Sequence, residues 1–146
     1  MRYSQTHSYQ QGFNLVELMV VLGVIGVLAS IALPMYMNYV AKSSHAAGIQ
    51  ELSPGKMQIE INLNEGIGSF SQPEEIGLPN STNNCSSIEV TANALTGEAT
   101  LSCTLQGNMD VLGAVITLKR TPDGSWSCES TANSKFVDGS CVSTGG

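Results

Sequence analysis

One carboxylate, four cysteines and two histidines are the residues of this chain whose types and spacing could do chemistry. Glu17 stands at the head of a run in which no further charge occurs before Lys42. A carboxylate in such a run is unfavourable by up to about 2.5 to 3.5 kcal/mol at the centre of a bilayer, and less near its edge, unless it is neutralised or partnered. Glu17 therefore calls for a partner. Cys85, Cys103, Cys128 and Cys141 all lie in the polar part of the chain, none in a CxxC pair, and the nearest histidine, His45, is distant in sequence. That spacing argues against a metal site and for two disulfides in an oxidising periplasmic or extracellular compartment. Four cysteines allow three pairings, and the sequence-local one, Cys85 with Cys103 and Cys128 with Cys141, is expected because each closes a hairpin-sized loop. No nucleophile motif or phosphate loop accompanies them, so neither an enzyme nor a cofactor is expected. His7 lies near the N-terminus, Glu74-Glu75 read as solvated loop charges, and Asn80-Ser81-Thr82 matches a glycosylation sequon that Ser/Thr/Asn-rich loops produce by chance.

The elements that must hold these residues divide sharply by composition. From Leu18 to Met37 the residues are apolar apart from Ser30, glycines and one proline, and twenty residues of helix rise about 30 Å, enough to cross a bilayer. Beyond Lys42 the chain becomes rich in Ser, Thr, Asn and Gly, with room for one small domain of about a hundred residues. The 42% hydrophobic and 12% charged composition is thus an anchor plus a polar domain. The net charge of -6 leaves no basic footprint, and Lys119 and Arg120, adjacent in an expected strand, point to opposite faces. Nucleic acid is disfavoured as a partner.

The arrangement of the N-terminus is the reverse of an ordinary secretory signal, whose cleavage site follows its apolar stretch. Here a polar segment, Met1 to Gly12, with Arg2 its one unambiguous positive charge, precedes Phe13-Asn14-Leu15-Val16-Glu17 and then the apolar run. This segment resembles the type IV pilin signature. The resemblance implies that a membrane peptidase cuts after Gly12, that Phe13 is N-methylated, and that Glu17 is the glutamate of the fifth mature position. Asn14 and Val16 replace the usual Thr and Ile. Cleavage would also supply the missing partner, since the α-amine of one subunit can pair with the Glu17 carboxylate of its neighbour. Gly23, Gly26, Ala29 and Ala32 add a small-residue face suited to close helix packing. Pro34 falls where pilins commonly carry a proline, and with its missing N–H it implies a kink or melted turn.

The resemblance further implies an α+β fold, with the anchor continuing as one helix into the head and ending near Gly66. Pro54-Gly55 taken alone is a stop signal, and Met57, Ile59, Ile61 and Leu63 alternate as a strand would; the family instead carries a second kinking proline here, Pro54, and continues helical. The expected organisation is a leader over 1–12, a transmembrane and filament-core helix over 13–37, and a head over 38–146. Within the head, a variable loop covers 67–84 and a sheet with a C-terminal loop covers 85–146. Ser86 to Thr91, Ala99 to Leu105, Ala114 to Arg120 and Ser125 to Glu129 read as strands, with turns at Thr96-Gly97 and Pro122-Asp123-Gly124. A four-stranded antiparallel meander against the helix is the economical architecture. The segment from Pro122 to Cys141 resembles the disulfide-bounded loop ending many type IVa pilins, with Trp126 before Cys128 and Lys135-Phe136 before Cys141.

The function so implied is a structural subunit polymerised into a surface filament for adhesion, twitching motility or biofilm formation. Its partners would be copies of itself, a prepilin peptidase, an assembly platform with cytoplasmic ATPases, and the inner membrane before assembly. Alternatives are a type II secretion pseudopilin, which commonly lacks the C-terminal disulfide loop, and a DNA-uptake pilin, which should carry a positive stripe.

Overall fold

The computed structural model describes residues 12–145. The expected leader therefore lies outside the described residues, with Arg2 and His7, except for Gly12. A single helix, α1, runs over Leu15–Asn64 and remains helical through both Pro34 and Pro54, so no turn melts at either. The chain divides into two compact units after Tyr36. Over the first, every described side chain is exposed.

In the second unit α1 buries Ala41, His45, Gly48, Leu52, Gly55, Ile59 and Asn62. Their spacing alternates between four and three residues, which keeps one narrow face of a helix against its partner. This explains why the alternation from Met57 to Leu63 makes no strand: Ile59 belongs to the buried stripe, while Met57 and Ile61 are exposed on the other side. The helix then closes through the Ile67 N–H to the Asn62 carbonyl (2.9 Å) and the Gly66 N–H to the Leu63 carbonyl (3.2 Å). Gly66 adopts φ 70°, the left-handed cap that glycine reaches without a Cβ clash. Helix propensity, the stripe and the cap agree, and together they outweigh Pro54-Gly55.

The sheet carries five strands rather than four: β1 (Cys85–Asn93), β2 (Glu98–Leu105), β3 (Val115–Arg120), β4 (Trp126–Asn133) and β5 (Val142–Gly145). The first four form the expected antiparallel meander in the order β1-β2-β3-β4. The fifth lies parallel to β4, pairing Glu129 with Val142 and Ser130 with Ser143. The chain returns from the end of β4 before starting β5, and this reversal makes the pair parallel. Alternating side chains of β1 and β2, among them Ile88, Val90, Leu101, Cys103 and Leu105, fill the core under the helix. Packing there is close: a Cβ on Gly48 would stand 2.6 Å from Leu105 Cδ2, and one on Gly55 2.5 Å from Leu78 Cδ1.

Residues 67–84 are organised as well. Phe70, Ile76 and Leu78 are buried, Phe70 bridges to Ala92, and a 3-10 turn covers Pro73–Ile76. Glu75 is no free loop charge. Its Oε2 accepts the N–H groups of Ser71 and Gln72, both at 2.8 Å, and these bonds hold its carboxyl below the ordinary carboxylate value. Glu74 accepts the side-chain amide of Asn80.

Candidate functional site

The helix N-terminus is built by a reciprocal pair. Asn14 Oδ1 accepts the Val16 N–H at 3.4 Å, and Glu17 Oε2 accepts the Asn14 N–H at 2.9 Å. An Asn followed three residues later by Glu satisfies helix donors from both ends, a capping box, and the carboxylate is also favoured by the positive end of the helix. Glu17 thus has a partner within its own chain. Asn14 is more than a departure from the pilin pattern; the Asn-Leu-Val-Glu spacing is the signal that reveals it. Gly12 and Phe13 precede the box, exposed.

From the box onward, Leu15 to Met37 present their side chains outward all round, with Leu15 72% and Leu22 64% exposed. The helix is long and apolar enough to cross a membrane, by length and composition. A Cβ on Gly23 or Gly26 would meet nothing within 4 Å, so in the single chain the small-residue face is open. Pro34 lies in the same exposed run, and Pro54 is exposed on the part of α1 that belongs to the head. So large an apolar surface, larger than a soluble monomer carries, is a surface for lipid or for other protein.

The head is held by links from α1 that sequence patterns do not reveal. Glu51 accepts the Thr82 hydroxyl and, at 2.8 Å, the Asn84 side-chain amide; Gln106 adds a bond to the Thr82 carbonyl at 2.6 Å. These bonds fasten the 67–84 loop to the helix and to the residue that follows β2. Toward the other end of the head, Glu60 receives Arg120 Nε at 2.7 Å and Trp126 Nε1 at 2.6 Å. Arg120 also reaches the Gly97 carbonyl, and Lys56 sits 5.2 Å from the centre of the Trp126 ring. The Arg120 hydrogen bond is the main cause that lowers the Glu60 carboxyl from its ordinary value, aided by the Trp126 bond and opposed by burial. Lys119 turns to the opposite face and pairs with Glu129 at 2.6 Å. The two adjacent basic residues are each matched to a carboxylate and form no patch.

Cys85 is bonded to Cys103 and Cys128 to Cys141. The first bond lies buried between β1 and β2; the second joins β4 to the residue immediately before β5. Between Cys128 and Cys141, Phe136 is buried while Lys135 lies 4.5 Å from the centre of its ring. His45 is buried in the helix stripe, with Nε2 3.0 Å from Ser130 Oγ. Among the described residues no group of three or more metal-ligating side chains comes together.

The comparisons with known proteins bear on both units. Residues 41–142 match the family model for pilin, a bacterial filament protein, and residues 7–33 match the prokaryotic N-terminal methylation motif. The chain is 40% identical over 135 residues to the type IV major alpha-pilin of Moraxella bovis, covering 82% of this chain and 85% of that protein. It is 38% identical to fimbrial protein Q of the same organism, covering 90% and 97%. Among solved structures, the Cs1 pilin chimera superposes with a TM-score of 0.62 over 72% of this chain and 98% of that one, at 24% identity, which is a likeness of fold. An exposed apolar helix opening at a methylation motif, and a helix-on-sheet head matched over almost its whole length, place this non-enzymatic chain in the type IV pilin family.

Proposed function

We propose that the chain is cut after Gly12, that Phe13 becomes the methylated N-terminus of the mature subunit, and that Glu17 is the assembly residue that pairs with the Phe13 amine of an adjacent copy. The observation that carries this reading is the single carboxylate at the head of a helical run, Leu15 to Met37, whose apolar side chains are exposed on every side. Before assembly that surface lies in the inner membrane; in the filament it lies against the helices of other subunits. The work of assembly belongs to a prepilin peptidase, a platform and cytoplasmic ATPases, and the resulting surface filament serves adhesion, twitching motility or biofilm formation.

The disulfide between Cys128 and Cys141 supports a pilus subunit over a secretion pseudopilin. The neutralised Lys119 and Arg120 speak against a DNA-uptake pilin. Glu17→Ala tests the reading. The variant should be processed at Phe13, as intact mass shows, and reach normal membrane levels, yet yield few or no sheared surface filaments. Filaments at the wild-type level would remove Glu17 from assembly, and a mature chain starting anywhere other than Phe13 would overturn the processing.

A further inference from the structure

The buried imidazole of the head, His45, joins two elements far apart in sequence. His45 is 0% exposed. Its Nε2 meets Ser130 Oγ at 3.0 Å, and that hydroxyl oxygen also accepts the Ala132 N–H at 3.2 Å. Ser130 lies in β4 between Cys128 and Cys141, at the position where β4 pairs with β5, and its carbonyl accepts the Thr144 hydroxyl. The other ring nitrogen, Nδ1, is buried with no hydrogen-bond partner among the described residues.

We propose that His45 is an acid-released latch: its neutral ring pins α1 to Ser130, and protonation loosens the loop between Cys128 and Cys141 together with the β4–β5 edge. A neutral ring with its N–H at Nε2 gives that N–H to Ser130 Oγ and leaves at Nδ1 only an unpaired lone pair. A protonated ring places a second N–H at Nδ1, where no acceptor stands, and adds a charge inside the core. The charged groups around it give little compensation. From the C-terminal loop Asp138 acts on the ring by its charge, but its carboxylate is engaged by the hydroxyl and N–H of Ser140. On β4, Glu129 points to the opposite face and is taken by Lys119, while Lys135 lies over the Phe136 ring.

Burial lowers the imidazole below its ordinary value of 6.5, and Asp138 offsets part of that effect. A group depressed in the folded state binds its proton more readily when released, so the latch is at full strength above pH 6.5 and is lost as pH falls through the folded value. Within that window each pH unit raises the opened fraction by up to about tenfold.

Hydrogen exchange on the full chain in detergent, expressed as protection relative to the intrinsic rate at each pH, reads the latch directly. Between pH 8 and pH 5 the amides from Cys128 to Gly145 should lose about tenfold in protection, while those of β2 change little. His45→Gln, which keeps an amide for Ser130 but cannot titrate, should show a flat profile. Protection that is independent of pH in the wild type, or an unchanged fall in His45→Gln, overturns the proposal. Should the variant not fold, the ring is titrated by NMR in the wild-type chain with His7→Gln. A value below 6.5 coinciding with the loss of protection supports the latch, and a ring titrating at or above 6.5 refutes it.

Discussion

Glu17 carries two separable properties, a hydrogen-bond acceptor for its own helix and, in the proposed assembly, a negative charge for a neighbour. Glu17→Gln keeps a carbonyl oxygen for the Asn14 N–H and removes only the charge. Filament yield from Glu17→Gln should therefore fall as far as from Glu17→Ala, measured in sheared fractions beside mature protein in the membrane; wild-type yield would mean that the capping contact is what assembly needs. Glu60 presents a different balance. It is partly exposed and shared between Arg120 and Trp126, so its ion pair with Arg120 contributes about 0 to 1 kcal/mol. Glu60→Gln should lower the denaturation midpoint slightly at pH 7 and leave the fold intact. A loss of several kcal/mol would show that the Trp126 bond or the packing of Lys56 carries more than the ion pair.

At the level of elements, the contact between α1 and the sheet depends on two positions without side chains. Gly48→Val would force branched carbons into the space held by Leu105 and Ile116 and should destabilise the head by about 1 to 3 kcal/mol, read by urea denaturation of the detergent-solubilised chain. Gly23→Ala, where nothing stands within 4 Å, should leave head stability unchanged. Much of this frame was legible: the strands of β1 to β4 follow from β-branched residues between turn signals, and the helix through Pro54 follows from family resemblance against local periodicity. The stripe from Ala41 to Asn62 was also open to reading, since its alternating spacing is printed in the sequence, but glycine, histidine and asparagine disguise it as polar. β5 was not legible. Val-Ser-Thr-Gly is four residues long, and a parallel partner leaves no turn signal between the strands. Nor was the bond from Glu51 to Thr82 and Asn84, because a carboxylate on a helix surface and a hydroxyl thirty-one residues later meet only once the loop is folded back.

For the whole molecule, acid should act in two stages with the same sign. His45 is depressed below 6.5 and Glu60 below 4.5, so each contributes stability that is present above those values and lost as pH falls through its folded value. The first stage loosens the C-terminal edge alone; the second, below pH 4.5, weakens the attachment of α1 to the turn end of the sheet. Denaturation curves at pH 7, 5.5 and 3.5 should show successive losses, and His45→Gln should abolish only the earlier one. Reducing both disulfides should cost about 2 to 4 kcal/mol each, and non-reducing peptide mapping should recover Cys85 with Cys103 and Cys128 with Cys141. The bond from Cys128 to Cys141 has a further consequence where copies of the head lie close together. β5 is an exposed last strand, a surface on which a neighbouring copy could lay its own. Because Cys141 is fastened to β4 and β5 starts at the next residue, a detached β5 stays within a few residues' reach of its own partner, at an effective concentration in the millimolar range. A foreign strand must compete with a local one that is always present, so the tether acts by kinetic priority: each head recloses on itself before it can exchange strands with another.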